Sequence, residues 1–136
     1  MIRLWAGSII IVYRILKYSF LTNFLIAQIR EGATIQPEHN EKLSDIVERH
    51  FSEKNMVYIS NRVNSYSVNP LVYRETEKIP NLVAIGIVPG TAMMRESAEY
   101  EKKFYEKPYE IFDTLSEAMQ WCQSVLQELK DFKNNG

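Results

Sequence analysis

The sequence predicts an α/β domain with a mixed, mostly parallel sheet of four to five strands flanked by helices. Three observations predict it. Leu82-Val83-Ala84-Ile85-Gly86-Ile87-Val88 is a nearly continuous apolar run, which suits a central strand covered on both faces. Thr114-Leu115-Ser116-Glu117 has the pattern of a capping box. It opens a stripe at helical spacing: Leu115, Ala118, Met119, Cys122, Val125, Leu126 and Leu129. Between and before these two elements, short apolar runs alternate with amphipathic segments, as they do when helices connect parallel strands.

In chain order, Arg14 to Phe20 alternates, with Leu16, Tyr18 and Phe20 on one face, and Phe24 to Arg30 is apolar until its polar end. Leu21-Thr22-Asn23 between them is short enough for an antiparallel hairpin. Glu31-Gly32 breaks the second strand. Pro37 suits the first turn of a helix, where a missing N–H costs nothing. Leu43, Ile46, Val47, His50 and Phe51 then fall on one helical face. Met56 to Ser60 reads as a third, buried strand, and Asn61 to Asn69 as a polar, turn-rich loop. Pro70 opens a short helix toward Lys78. After the central strand, Pro89-Gly90 is a stop, a charged helix is expected from Thr91 to Lys107, and Tyr109 to Phe112 forms the last strand. The predicted order is β-β-α-β-α-β-α-β-α.

With 136 residues, the chain is long enough for one two-sided core without disulfides or metal. The expected division is an arm or extra strand at residues 1–13, one domain at 14–130 and a frayed tail at 131–136. Sixteen basic residues stand against seventeen acidic ones, and no Lys/Arg run is long enough to neutralise a phosphate backbone. Nucleic acid is therefore not an expected partner. The apolar stretch Leu4 to Val12 is too short for a membrane span before Arg14, and no small-x-small cleavage site follows it as in a signal peptide. One cysteine and no Asn-x-Ser/Thr site point to a reducing, cytoplasmic location. A homodimer through the edge of the N-terminal strand is compatible with this organisation.

The residues with most chemical content lie in the loop after the third strand. In an open parallel sheet, ligands bind beyond the carboxyl ends of the strands. Asn61, Arg62, Asn64, Ser65, Tyr66, Ser67 and Asn69 supply amides, hydroxyls and one fixed positive charge there. They can hold an anion beside the following helix, or they can simply bond their own backbone as turn residues do. Tyr58, Tyr66 and Tyr73 can line an apolar cleft beside the loop, or serve as core residues with hydrogen-bonded tips.

Elsewhere the bland reading dominates. His39 and His50 are expected on one helix, about 16 Å apart along its axis, too far to share a metal. No zinc or iron site and no cofactor is expected. Cys122 falls on the buried stripe of the last helix, without a neighbouring base or positive charge to activate a thiol. Gly86 in the central strand marks close helix packing. Arg95, Glu96, Glu99, Glu101, Lys102 and Lys103 read as the solvated face of a helix or as a protein-docking face. No catalytic constellation is found, and a non-enzymatic role is expected.

The stretch Val57-Tyr58-Ile59-Ser60-Asn61-Arg62-Val63-Asn64-Ser65-Tyr66-Ser67-Val68-Asn69-Pro70 resembles small bacterial proteins of the SpoIIAA-like, STAS-domain type. So does Glu101 to Tyr105 leading into Ile111 to Ala118, and the element order is similar over residues 14 to 130. The resemblance implies a STAS-like fold and a regulatory module that binds a protein partner or a small ligand. In the anti-sigma-factor antagonists of that family, a serine at the start of the helix after the third strand is phosphorylated. The corresponding place here holds Ser65 and Ser67, without the family's preceding Asp and following Gly. The resemblance leaves three readings: an interaction or ligand-binding module, a phosphoregulated switch, or a carrier of a small apolar ligand.

Overall fold

The computed structural model describes residues 10–17 and 23–135, with 10–17 and Asn135 described by their backbone alone. Of the expected arm, residues 1–9 lie outside the described residues, as do Tyr18 to Thr22 of the expected first strand and hairpin turn, and Gly136.

Strand β1 (Ile10–Lys17) pairs antiparallel with β2 (Asn23–Ile29), with a shift of register between Val12 and Arg14. The strand therefore starts within the expected arm. A two-residue strand, β3 (Thr34–Ile35), and a 3-10 turn at Pro37–His39 lead into α1 (Asn40–Phe51). Then come β4 (Met56–Arg62), β5 (Ser67–Val68) and the short α2 (Val72–Thr76). The chain closes with β6 (Leu82–Pro89), α3 (Ala92–Glu101), β7 (Tyr109–Ile111) and α4 (Leu115–Asn135). The main sheet has the order β1-β2-β4-β6-β7, parallel except at β1, and β3 pairs with β5 in a second, two-stranded parallel sheet.

Strand alternation divides the core into two layers. Leu25, Ala27 and Ile29 of β2, with Ile85 and Ile87 of β6, pack against Leu43, Ile46, Val47 and Phe51 of α1, Val72 and Tyr73 of α2, and Ala98 of α3. Phe24, Ile26, Val57, Ile59, Ala84 and Val88 point the other way, onto Ala118, Cys122 and Leu126 of α4. The single thiol is thus buried among apolar side chains, and burial pushes it up to about 12.

Several boundaries differ from the expected ones for identifiable reasons. The α3 helix ends at Glu101, and a 3-10 turn at Lys102–Phe104 follows, because Tyr105 must leave the helix to enter the core. The α4 helix continues to Asn135 through the residues expected to fray; no breaker precedes Gly136, and Gln127 donates to Asp131 one turn on. At its start, Thr114 Oγ accepts from the Glu117 N–H at 3.2 Å, but the Glu117 carboxylate takes up the Thr114 hydroxyl instead of its N–H. His39 lies in the 3-10 turn and only His50 in α1, so the two do not share one helix.

The close approach expected at Gly86 occurs at Gly90. A Cβ on Gly86 would make ordinary contacts of 3.7–3.8 Å with Phe112, Ile59 and Trp121, whereas one on Gly90 would sit 2.7 Å from the Arg62 carbonyl oxygen. The turn from β6 to α3 is therefore pressed against the end of β4. Gly90→Ala is expected to cost about 2 kcal/mol in urea unfolding. Gly86→Ala should be neutral or stabilising by up to about 1 kcal/mol.

Candidate functional site

The site is built on the carboxyl end of β4. Strand alternation places Tyr58, Ser60 and Arg62 on the face covered by α1 and α2, where they line a cavity of about 70 Å³ with Ile29, Ile85 and Ile87 of the sheet. Leu43, Val72, Tyr73 and Thr76 close it from the helices, and Ile35, His39, Tyr66 and Val68 from the connecting segments. Asn61, on the opposite face of the strand, does not line it.

Arg62 is 5% and Glu101 4% exposed, and the two form a bidentate ion pair. Nη2 donates to Oε1 at 2.6 Å and Nη1 to Oε2 at 3.2 Å. The Tyr73 hydroxyl donates to the same Oε1 at 2.5 Å and accepts a longer contact from Arg62 at 3.4 Å. Beneath the guanidinium lies the Tyr66 ring, 5.3 Å from its carbon, and the Tyr66 and Ser60 hydroxyls share a hydrogen bond of 2.9 Å. Burial works against the Arg62 charge, but Tyr66, the Glu101 hydrogen bond and Tyr73 outweigh it, so the guanidinium stays charged. Among the described residues, its buried Nε–H has no partner.

Glu101 is therefore not part of a solvated face. The spacing of Met94, Ala98, Glu101 and Tyr105 carries the signal: four, three and four residues apart, they trace one inward stripe with a carboxylate on it. The rest of the charged helix behaves as expected, with Glu96, Glu99, Lys102 and Lys103 exposed and Arg95 paired to Asp113.

The predicted loop splits into two groups. Arg62, Tyr66, Tyr58 and Tyr73 converge on the cavity. Asn64 and Asn69 instead hold the chain: Asn64 Nδ2 donates to the Ile29 carbonyl at 3.0 Å. Asn69 Nδ2 donates to Gln36 Oε1 at 3.0 Å, and Asn69 Oδ1 accepts from the Leu71 N–H at 3.1 Å. Ser65 and Ser67 are exposed on the outside of this segment, and Asn69, not a serine, occupies the position that caps the turn into α2. The β3 and β5 segments are stitched by backbone bonds from Gly32 to Ser65, Ser67 to Ala33 and Asn69 to Ile35, and form a small flap over the cavity. Gly32 turns into it with φ +75°, a conformation that favours glycine.

Besides Arg62, three sets of lining residues carry polar groups that are not fully used. The Tyr58 hydroxyl makes no hydrogen bond among the described residues. His39 Nδ1 accepts from the Gln36 N–H at 2.8 Å, which leaves the ring proton on Nε2. Of the Ser60 and Tyr66 hydroxyls only one donates to the other, so one O–H remains. By contrast, the Asn40 side chain is spent on Pro37, Val72 and Thr76 and anchors α1 to α2. Among the described residues, no three His, Cys, Asp or Glu side chains gather as metal ligands.

Comparison with known proteins turns on this architecture. No family model and no curated protein matches the chain. A crystal structure does: that of an uncharacterised protein of the DUF3478 family from Shewanella loihica PV-4, described as having a SpoIIAA-like fold. The likeness covers 87% of this chain and 98% of that one, with a TM-score of 0.54 at 10% identity. The fold is SpoIIAA-like. At that identity the likeness concerns the sheet and helix arrangement and assigns no side-chain role. Among the described residues of this SpoIIAA-like domain, no helix is long and apolar enough to cross a membrane.

Removing one member of the ion pair leaves a buried charge uncompensated, so Arg62→Met or Glu101→Leu alone should cost about 3–5 kcal/mol. In a double-mutant cycle by urea unfolding, the combined variant should be more stable than the worse single one. Equal or lower stability of the combined variant would mean that each charge is solvated on its own.

Burial raises the phenols of Tyr58, Tyr66, Tyr73, Tyr105 and Tyr109 above their ordinary value of 10.0. The folded protein then keeps protons that the unfolded chain releases, so this stability is intact below the unfolded values and is lost as pH rises through them toward the folded values. Unfolding free energy should be flat from neutral pH to about pH 8 and fall above it, by about 1.4 kcal/mol per pH unit for each proton retained, first on the buried Cys122 thiol and then on the phenols. Tyrosinate absorbance should rise largely together with loss of structure.

Proposed function

We propose that this protein is a non-enzymatic ligand-binding module whose working site is the cavity between the sheet and the α1–α2 pair. The observation that carries the reading is the lining of that cavity. It is mainly aliphatic and aromatic, with polar groups from β4 and the loop that follows it on one side and from His39, Asn40, Tyr73 and Thr76 on the other. This is the combination expected of a site that encloses an apolar body and orients it through a small number of hydrogen bonds.

A binding role is favoured over catalysis by how the ionised groups are used. Both oxygens of Glu101 and both terminal nitrogens of Arg62 are engaged with each other, and Glu101 also accepts from Tyr73. Neither is left as a general base or a free anion clamp. The flap supplies the regulatory element of the reading. Its inner side chains, Ile35, Tyr66 and Val68, face the cavity, while Val63, Ser65 and Ser67 are exposed outside. Occupancy of the cavity would then be displayed on a surface that a protein partner can meet.

The test is ligand retention. Protein isolated from its native host and examined by native mass spectrometry should carry a small molecule that Val68→Phe, which fills the cavity from the flap, does not. Identical spectra for the two folded proteins, with no retained species in either, would remove the cavity from the account.

A further inference from the structure

The balance of donors and acceptors in the cavity narrows the ligand class, an inference that rests on the cavity being a ligand site. Among the described lining residues, Arg62 is the one fixed charge, and Glu101 neutralises it through two hydrogen bonds. A carboxylate entering the cavity would bring a negative charge with no cation left to meet it, at a heavy desolvation cost. The carboxylate and amide acceptors are engaged as well: Glu101 Oε1 accepts from Arg62 and Tyr73, Oε2 from Arg62, and Asn40 Oδ1 from the Thr76 hydroxyl at 2.7 Å. What remains is mainly donors: the buried Arg62 Nε–H, the Tyr58 O–H, the His39 Nε2–H and one O–H of the Ser60–Tyr66 pair, with the hydroxyl oxygens as the weaker acceptors left.

We infer that the cavity selects a small neutral molecule with a carbonyl oxygen, a ketone, aldehyde or ester, set in an apolar frame. The oxygen accepts from Tyr58 and its neighbouring donors, and the alkyl part packs on Ile85, Ile87 and Leu43. The cavity of about 70 Å³ is roughly half the ~150 Å³ that admits benzene, so a fully enclosed occupant is smaller than benzene. Longer chains would have to pass between the flap and α1.

Three probes of equal heavy-atom count separate the terms: butan-2-one, 2-methylbut-1-ene with the carbonyl oxygen replaced by a methylene, and propanoate. Each is titrated at neutral pH into the full chain carrying labelled isoleucine methyls, of which Ile29, Ile35, Ile85 and Ile87 line the cavity. Butan-2-one should shift those methyls at the lowest concentration, with propanoate at least about tenfold weaker. Tyr58→Phe, which keeps the ring, should weaken butan-2-one about fivefold and leave the alkene unchanged. The alkene titration in the variant also shows that its cavity is intact. Propanoate binding as well as the ketone, or Tyr58→Phe leaving the ketone unaffected, would overturn the carbonyl assignment. Equal binding of alkene and ketone would overturn it too, while leaving the cavity as a ligand site. No cavity shift with any probe would sink both readings together.

Discussion

The pairing of Arg62 with Glu101 is the contact on which the rest of the site depends. It joins the last residue of β4 to the last residue of α3, and Tyr73 brings α2 into the same cluster. Two charges in an apolar layer are tolerated only because each is matched and hydrogen-bonded; a pair so placed is a weak source of net stability but a strong constraint on geometry. The chain on either side conforms to it. Gly90 lets the turn after β6 come against the Arg62 carbonyl, and the α3 helix ends where its carboxylate reaches inward.

That constraint explains why the sheet does not close up against α1 and α2. The guanidinium rests on the Tyr66 ring; beside it Tyr73 meets Tyr105 and Tyr109 edge to face and those two meet each other tilted, with centroids 5.8–6.2 Å apart. Tyr66, Tyr73 and Tyr109, held by their hydroxyl ends, cannot slide to fill neighbouring space as leucine or methionine can. Tyr109 is fixed in this way by its bond to the Ala98 carbonyl at 2.9 Å. The cavity is the space that such a rigid polar–aromatic frame leaves beside the aliphatic part of the core.

Much of the fold was legible because its signals are local. The apolar run at Leu82 to Val88, the Thr114 cap and the stripe on α1 each specify an element without help from distant residues. The loop after β4 was legible as a place, and Arg62, Tyr58, Tyr66 and Tyr73 do converge there. What the sequence did not disclose is pairing across distance. Glu101 looks like one more charge on a charged helix until Arg62, 39 residues away, is placed opposite it. The same holds for β3 and β5, two-residue strands too short to leave a pattern, and for Gly90, whose role depends on a carbonyl in another strand. The roles of Asn64 and Asn69 in tying down the backbone follow from partners at Ile29 and Gln36 that no spacing rule identifies.

The β3–β5 flap carries a consequence for rates. Its parallel ladder spans two residues on each side and is held by a handful of backbone bonds near the surface, apart from the five-stranded sheet. Such a unit opens by local fluctuation, at a free energy well below that of global unfolding. Exchange of any molecule in the cavity is then governed by this small opening, and residence time and global stability become separate quantities. Mutations that loosen Asn64 or Asn69 would shorten the first while barely moving the second.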